Sequence, residues 1–291
     1  VASGAAARDG GAVAAAPAAG APLLAVERVS RSFAGLAALR AVSFTVERGA
    51  ICGLIGPNGA GKTTLLSIIA GSLRPSSGTV VFAGRDLTGA GPSATVRRGI
   101  VRTHQVPRPF AALSVLDNVA VGSRFGAAAG RGRRGRRAAP AGDLEILERV
   151  GLAPRAGAPA GTLSVGDQKR LELARALATR PGLLLCDEVC NGLTAAETAA
   201  ILDLLRAVRA AGTTILFVEH NLRAVLALCD QVIVMNQGQV LAAGPPAAVQ
   251  HDPAVIDAYL GRPSLPGTPD IAPGPAGARD GTGVPAGAAG G

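Results

Sequence analysis

Residues Ile51-Cys52-Gly53-Leu54-Ile55-Gly56-Pro57-Asn58-Gly59-Ala60-Gly61-Lys62-Thr63-Thr64 decide how the rest of this chain is read. The apolar run Ile51–Ile55 is compact enough for a buried strand, and a helical pattern is predicted over Thr64–Ala70. Between them, Gly56 to Thr63 fits the phosphate-binding pattern of two glycines, Lys and Ser/Thr, in the strand-loop-helix setting that pattern requires. Glycines let backbone N–H groups turn inward around phosphate oxygens, and the helix points its positive end at the same anion. Lys62 would set a compact charge on the β- and γ-phosphates, and the Thr63 hydroxyl would ligate Mg²⁺. Of 29 basic residues only Lys62 and Lys169 are lysines, so Lys at this position is informative. Gly56, Pro57, Asn58, Gly59, Ala60, Gly61, Lys62, Thr63 and Thr64 are therefore the candidate nucleotide-binding residues.

Working outward, Leu183-Leu184-Leu185-Cys186 is a second apolar strand, and it ends in Asp187-Glu188. At a strand's end both acids can reach one site, Asp187 to hold Mg²⁺ and Glu188 to serve as general base to a water. Thr214–Val218 and Val232–Met235 are further compact runs beside helix-like segments, an alternation that predicts a mainly parallel sheet. From about 107 to 180 strand signals fade and helical patterns such as Asp143–Val150 and Gln168–Ala178 take over. This predicts a helical subdomain inserted into an α/β core.

The 291 residues are 48% hydrophobic but only 2% aromatic, so the core is expected to be Leu, Val, Ile and Ala. The net charge of +9 is carried almost wholly by Arg. Arg131, Arg133, Arg134, Arg136 and Arg137 cluster among glycines with no aromatics to stack bases, which reads as a solvated loop, and no nucleic-acid partner is expected. Cys52, Cys186, Cys190 and Cys229 lack metal-ligand spacing and are expected to be reduced, buried small hydrophobes. No run reaches the ~20 apolar residues of a membrane span. The Ala-rich segment 1–22 is broken by Gly10, Gly11, Pro17 and Gly20, and 263–291 is rich in Pro and Gly; both are expected to be disordered tails. No internal repeat is visible, so a single catalytic unit in the cytoplasm is expected.

Leu163-Ser164-Val165-Gly166-Asp167-Gln168 taken alone reads as a helix N-terminus, with Ser164 as cap and Asp167 completing a capping box. Followed by Lys169-Arg170-Leu171-Glu172-Leu173-Ala174-Arg175-Ala176-Leu177, and set between the phosphate loop and Asp187-Glu188, it resembles the signature of the ABC transporter ATPase family. That resemblance implies an α/β P-loop NTPase core over 23–262 with a mainly parallel sheet, an antiparallel β region near the N-terminus and the helical insertion. It implies ATP and Mg²⁺, the latter held by Thr63, Gln105 and Asp187. Leu163, Ser164, Val165, Gly166 and Asp167 would act in trans on ATP bound by a second ATPase subunit, making the dimer obligate. Phe33 matches the aromatic that stacks on adenine, Gln105 the glutamine that senses Mg²⁺ and faces the permease, and His220 the histidine that contacts the γ-phosphate. Glu188, His220 and Gln105 form the catalytic set.

Two departures stand out: Val189 where many relatives have Pro, and Thr194 where many have Asp in the loop linking the two sites. Gly53-Leu54-Ile55-Gly56, Val101-Arg102-Thr103, Arg108-Pro109-Phe110, Asn236-Gln237-Gly238 and Asp252 to Gly261 are similar to branched-chain amino acid importer ATPases. Urea or amide importers share much of this pattern. The resemblance implies separate transmembrane permease subunits, indirect dependence on a solute-binding protein, and a place at the cytoplasmic face of a membrane. A soluble ABC ATPase acting on nucleic acid usually carries two cassettes or a long coiled-coil insertion, and neither is visible.

Overall fold

The computed structural model describes residues 21–126 and 140–260. The expected tails, apart from Ala21 and Pro22, and the Arg-rich segment 131–137 lie outside the described residues.

Two sheets divide the strands. β1 (Leu24–Phe33), β2 (Leu36–Val46), β4 (Ser77–Phe82) and β5 (Arg85–Asp86) form an antiparallel sheet in the order β2-β1-β4-β5. The six-stranded sheet runs β10-β9-β3-β8-β7-β6. Its members are β3 (Ile51–Ile55), β6 (Ile100–Arg102), β7 (Leu183–Asp187), β8 (Thr214–Val218), β9 (Gln231–Asn236) and β10 (Gln239–Gly244). All its pairings are parallel except β9 with β10.

Three hairpins turn on two residues with positive φ at both: Ala34-Gly35, Ala83-Gly84 and Gln237-Gly238. Such turns match the right-handed twist of the flanking strands. They give the antiparallel pairs β1–β2, β4–β5 and β9–β10 their tight registers.

Every residue of β3, β7 and β8 is buried. Strands covered on both faces read as continuous apolar runs, which is why these three were visible in the sequence. Alternate residues feed different cores. Leu183, Leu185, Leu216, Val218 and Leu54 join Leu65 and Leu66 of helix α1 (Lys62–Ile69) and the antiparallel sheet. Leu184, Cys186, Ile215 and Phe217 face α6 (Ala195–Ala210) and α7 (Leu222–Leu228). All four cysteines are free and buried.

α2 (Pro92–Arg98) leads into β6. Between β6 and β7 the described chain is helical: α3 (Val115–Phe125), α4 (Pro140–Arg149) and α5 (Val165–Ala178). Val115, Val119, Leu147, Val150, Leu171 and Ala174 build a third cluster there. α5 is buried on two sides, giving Leu171 and Ala174 to this cluster and Leu173 and Ala176 to the sheet. α8 (Pro246–Gln250) and α9 (Pro253–Leu260) close the described chain. No helix among the described residues is long and apolar enough to cross a membrane.

The capping box expected at α5 is only half present. Ser164 Oγ accepts the Asp167 N–H at 3.1 Å, but the Asp167 carboxylate lies 3.9 Å from Arg170 instead of returning to the cap. An Asp side chain is one methylene shorter than the Glu this motif uses. The complete box sits at Thr194, whose hydroxyl and N–H both bond Glu197 while Glu197 N–H returns to Thr194 Oγ1.

One glycine anchors the loop after β3. Gly56 has φ +148, and a Cβ there would lie 2.1 Å from the Met235 carbonyl oxygen. Neither partner of that clash is a movable side-chain tip. Gly56→Ala is expected to lower the unfolding free energy by roughly 2 kcal/mol or more, measured by denaturant titration.

Candidate active site

The sheet order sets the geometry. β3 and β7 are separated only by β8, so the loop leaving β3 and the acids ending β7 open on the same edge of a parallel sheet. Ligands in such sheets bind outside the carboxyl ends of the strands. α1 is preceded by Gly61, which is left-handed at φ 99 and supplies no side-chain cap. The helix N-terminus is thus left without a capping side chain, as an anion site requires.

Lys62 is buried, and its ammonium donates to the carbonyls of Gly56 at 2.6 Å and Pro57 at 3.0 Å. Burial pushes its pKa below the ordinary lysine value, while the nearby carboxylates of Glu188 and Asp187 pull the other way. The loop's lysine and the two acids ending β7 therefore share one electrostatic neighbourhood. Thr63 is exposed on the first turn of α1.

Gln105 Nε2 donates to Glu188 Oε2 at 2.6 Å, which joins two of the predicted residues directly. Glu188 is held in the left-handed region at φ 49, with its N–H on the Val218 carbonyl at 2.9 Å. A non-glycine residue keeps that conformation only where its surroundings over-determine it. Asp187 is buried and paired with Arg102, Nη2 to Oδ2 at 2.6 Å; Arg102 Nη1 also donates to Ser67 Oγ of α1 at 2.9 Å. The Asp187 N–H donates to Thr103 Oγ1 at 3.2 Å.

His220 follows β8, with Nδ1 4.0 Å from Glu219 Oε2. Asn221 next to it caps α7 through the Ala224 N–H. Glu219 is buried; its Oε1 accepts the Cys190 N–H at 2.8 Å, and Oε2 has no hydrogen-bond partner. Burial raises its pKa above the ordinary carboxylate value. Val189 is buried, and its carbonyl accepts from Lys169 at 3.2 Å.

Phe33 ends β1, is 45% exposed, and has the Arg31 guanidinium 4.8 Å from its ring centroid. Leu163 to Asp167 lie at the start of α5, and Val165 is exposed. Among the described residues no hydrogen bond joins that segment to Gly56–Thr63 of the same chain.

Arg102, Thr103, Glu219 and Lys169 complete the neighbourhood without having been predicted as site residues. Arg102 and Thr103 entered the sequence reading only through the importer resemblance, and Lys169 only through the run that follows the signature and as one of two lysines. The oxygen donors available, the Thr63 hydroxyl, the Gln105 amide and the Asp187 carboxylate, are hard ligands of the kind Mg²⁺ takes. No group of three or more His, Cys, Asp or Glu able to hold a metal occurs among the described residues. Mg²⁺ is typically bound through one or two carboxylates with water and substrate phosphates.

Comparison with known proteins agrees with this geometry. The ABC transporter family matches residues 39–191, and the branched-chain amino acid ATP-binding cassette transporter family matches 239–263. The second segment holds β10, α8 and α9. The high-affinity branched-chain amino acid transport ATP-binding protein LivG of Salmonella typhimurium is 38% identical over 250 residues, 82% of this chain and 98% of that protein. BraF of Pseudomonas aeruginosa, with the same description, is 36% identical over the same shares. Two solved ATP-binding cassettes of ABC transporters, one nucleotide-free and one in its ADP conformation, each align at 32% identity and TM-score 0.75. Each alignment covers 83% of this chain and all of theirs. This chain belongs to the ABC transporter ATP-binding family and carries the C-terminal segment of its branched-chain amino acid branch.

Proposed function

We propose that this chain is the ATP-hydrolysing subunit of an importer for branched-chain amino acids, acting on separate permease subunits at the cytoplasmic face of a membrane. The ATPase domain spans 23–262, with its helical subdomain at about 107–180. The observation that carries the proposal is the hydrogen bond from Gln105 to Glu188 at the sheet edge where Lys62 and the loop Gly56–Thr63 open. The cargo rests on the match at 239–263 and on the descriptions of the relatives.

In this reading the triphosphate lies in the loop Gly56-Pro57-Asn58-Gly59-Ala60-Gly61-Lys62-Thr63-Thr64, met by the N–H groups of its residues other than Pro57, which has none. Lys62 leaves the carbonyls of Gly56 and Pro57 and turns its ammonium to the phosphate oxygens. Phe33 stacks on the adenine. Thr63, Gln105 and Asp187 hold Mg²⁺, which neutralises charge on the β- and γ-phosphates when bound. Glu188 takes the proton of the attacking water, and its bond to Gln105 fixes which carboxylate oxygen faces that water. His220 contacts the γ-phosphate.

Leu163, Ser164, Val165, Gly166 and Asp167 serve a nucleotide in a second subunit, as the family signature implies. Closure of that dimer would drive the permease, with a solute-binding protein acting upstream. Little covalent chemistry falls to the protein; positioning and charge stabilisation do most of it.

Glu188→Gln keeps the acceptor for Gln105 but removes the base. We expect turnover to fall by about 10²-fold or more with ATP still bound, measured by phosphate release alongside equilibrium nucleotide binding. A Gln variant turning over at the native rate would remove Glu188 from that role. Lys62→Ala is expected to weaken nucleotide binding itself, by about tenfold or more on calorimetric titration. Unchanged affinity would count against the phosphate-loop assignment.

A further inference from the structure

Lys169 is the second of the chain's two lysines, and the hydrolytic reading leaves it without a task. It lies on α5, one turn beyond Ser164, and is only 5% exposed. A buried ammonium is costly unless all its donors are satisfied, and here they are. Nζ donates to the carbonyls of Glu188 at 3.2 Å, Val189 at 3.2 Å and Asn191 at 2.6 Å. A compact group with three donors meets three carbonyls that belong to one short turn.

That turn begins at Glu188, the residue in the left-handed region. The other backbone groups around it are also taken: Glu188 N–H by the Val218 carbonyl, Cys190 N–H by Glu219 Oε1, and Asn191 N–H by the Glu188 carbonyl. Among the described residues the helical region holds this turn on its carbonyl side, through Lys169.

Two more polar residues follow on α5 at three-residue spacing. Glu172, buried, accepts the His104 N–H, and Arg175 donates to the Arg108 carbonyl at 2.9 Å while lying 4.9 Å above the Phe110 ring. One helix thus grips both segments whose side chains meet, the one carrying Gln105 and the one carrying Glu188.

We propose that Lys169 is a positioning residue for hydrolysis: its ammonium holds the 188–191 turn in the conformation that presents Glu188 to Gln105, and ties that turn to the helix that starts at Ser164. The proposal rests on Glu188 being the base. It makes α5 a rigid link between the segment offered to one nucleotide and the carboxylate that serves the other.

The test uses the full chain with Lys169→Met, which keeps length and loses every donor, and Lys169→Arg, which keeps the charge but spreads its donors in a plane. Steady-state hydrolysis, equilibrium binding of a fluorescent ATP analogue and thermal unfolding are measured on each. The expected result is a kcat lowered about tenfold or more in the Met variant, nucleotide Kd within about twofold of native, and partial recovery of kcat in the Arg variant.

A native kcat in the Met variant overturns the proposal. So does a loss of kcat matched by equal losses of affinity and thermal stability, which is what a purely structural role predicts. If the Met variant does not fold, Lys169→Gln is held to the same criteria. Glu188→Gln run in parallel separates the two ideas: if it is inactive while the Lys169 variants are native, only the role of Lys169 fails, and if it hydrolyses normally, the role of Glu188 fails first.

Discussion

A strand buried on both faces can carry polar chemistry only at its ends, and that constraint orders this molecule. β3, β7 and β8 expose no residue along their length. Burial on two sides demands helices above and below, and parallel pairing puts every strand's carboxyl end on one edge. The loop after β3, the acids after β7 and the His220 segment after β8 are therefore neighbours by topology before any side chain interacts. The charged residues then meet where water has been partly excluded, so each needs a named partner. Lys62 has two carbonyls, Asp187 has Arg102, and Glu188 has Gln105.

Those partners also describe what would change on nucleotide binding under the proposed function. Lys62 spends its ammonium on carbonyls of its own loop, and Asp187 spends one oxygen on Arg102. In the proposed reading a phosphate would compete for the first and a divalent cation for the second, so binding would exchange internal contacts for external ones. Such an exchange would limit net affinity. The Arg102 contact with Ser67 ties this exchange to α1, the helix that starts at the phosphate loop.

How much of this was legible in the sequence follows the same physics. β3 and β8 were readable to the residue, because a doubly buried strand is a continuous apolar run. The antiparallel sheet was reached through resemblance, not through residues: β1 and β2 mix buried and exposed positions irregularly across register shifts. Their hairpin turns on Ala34-Gly35, and β4–β5 on Ala83-Gly84, where the strongest turn signals would be Asn-Gly or Asp-Gly. β6, at three residues, is too short to show a period. In the site, motif residues were legible because their spacing along the chain is local. Arg102 on Asp187 and Glu219 on Cys190 were not, since those pairs are separated by 85 and 29 positions and only the fold brings them together.

The two departures from the family pattern illustrate the difference between a position and a function. Val189 lacks the fixed φ that Pro would supply, yet its backbone is held from outside by Lys169, so rigidity comes from a hydrogen bond instead of a ring. Thr194 lacks a carboxylate, yet its hydroxyl gives α6 a complete capping box with Glu197. Both substitutions leave the turn between Glu188 and α6 constrained at each end, by α5 on one side and by the helix cap on the other. The constraint survives while the residues that usually impose it are replaced. What such a turn must retain is a fixed path for the backbone out of Glu188, and more than one set of side chains can supply it.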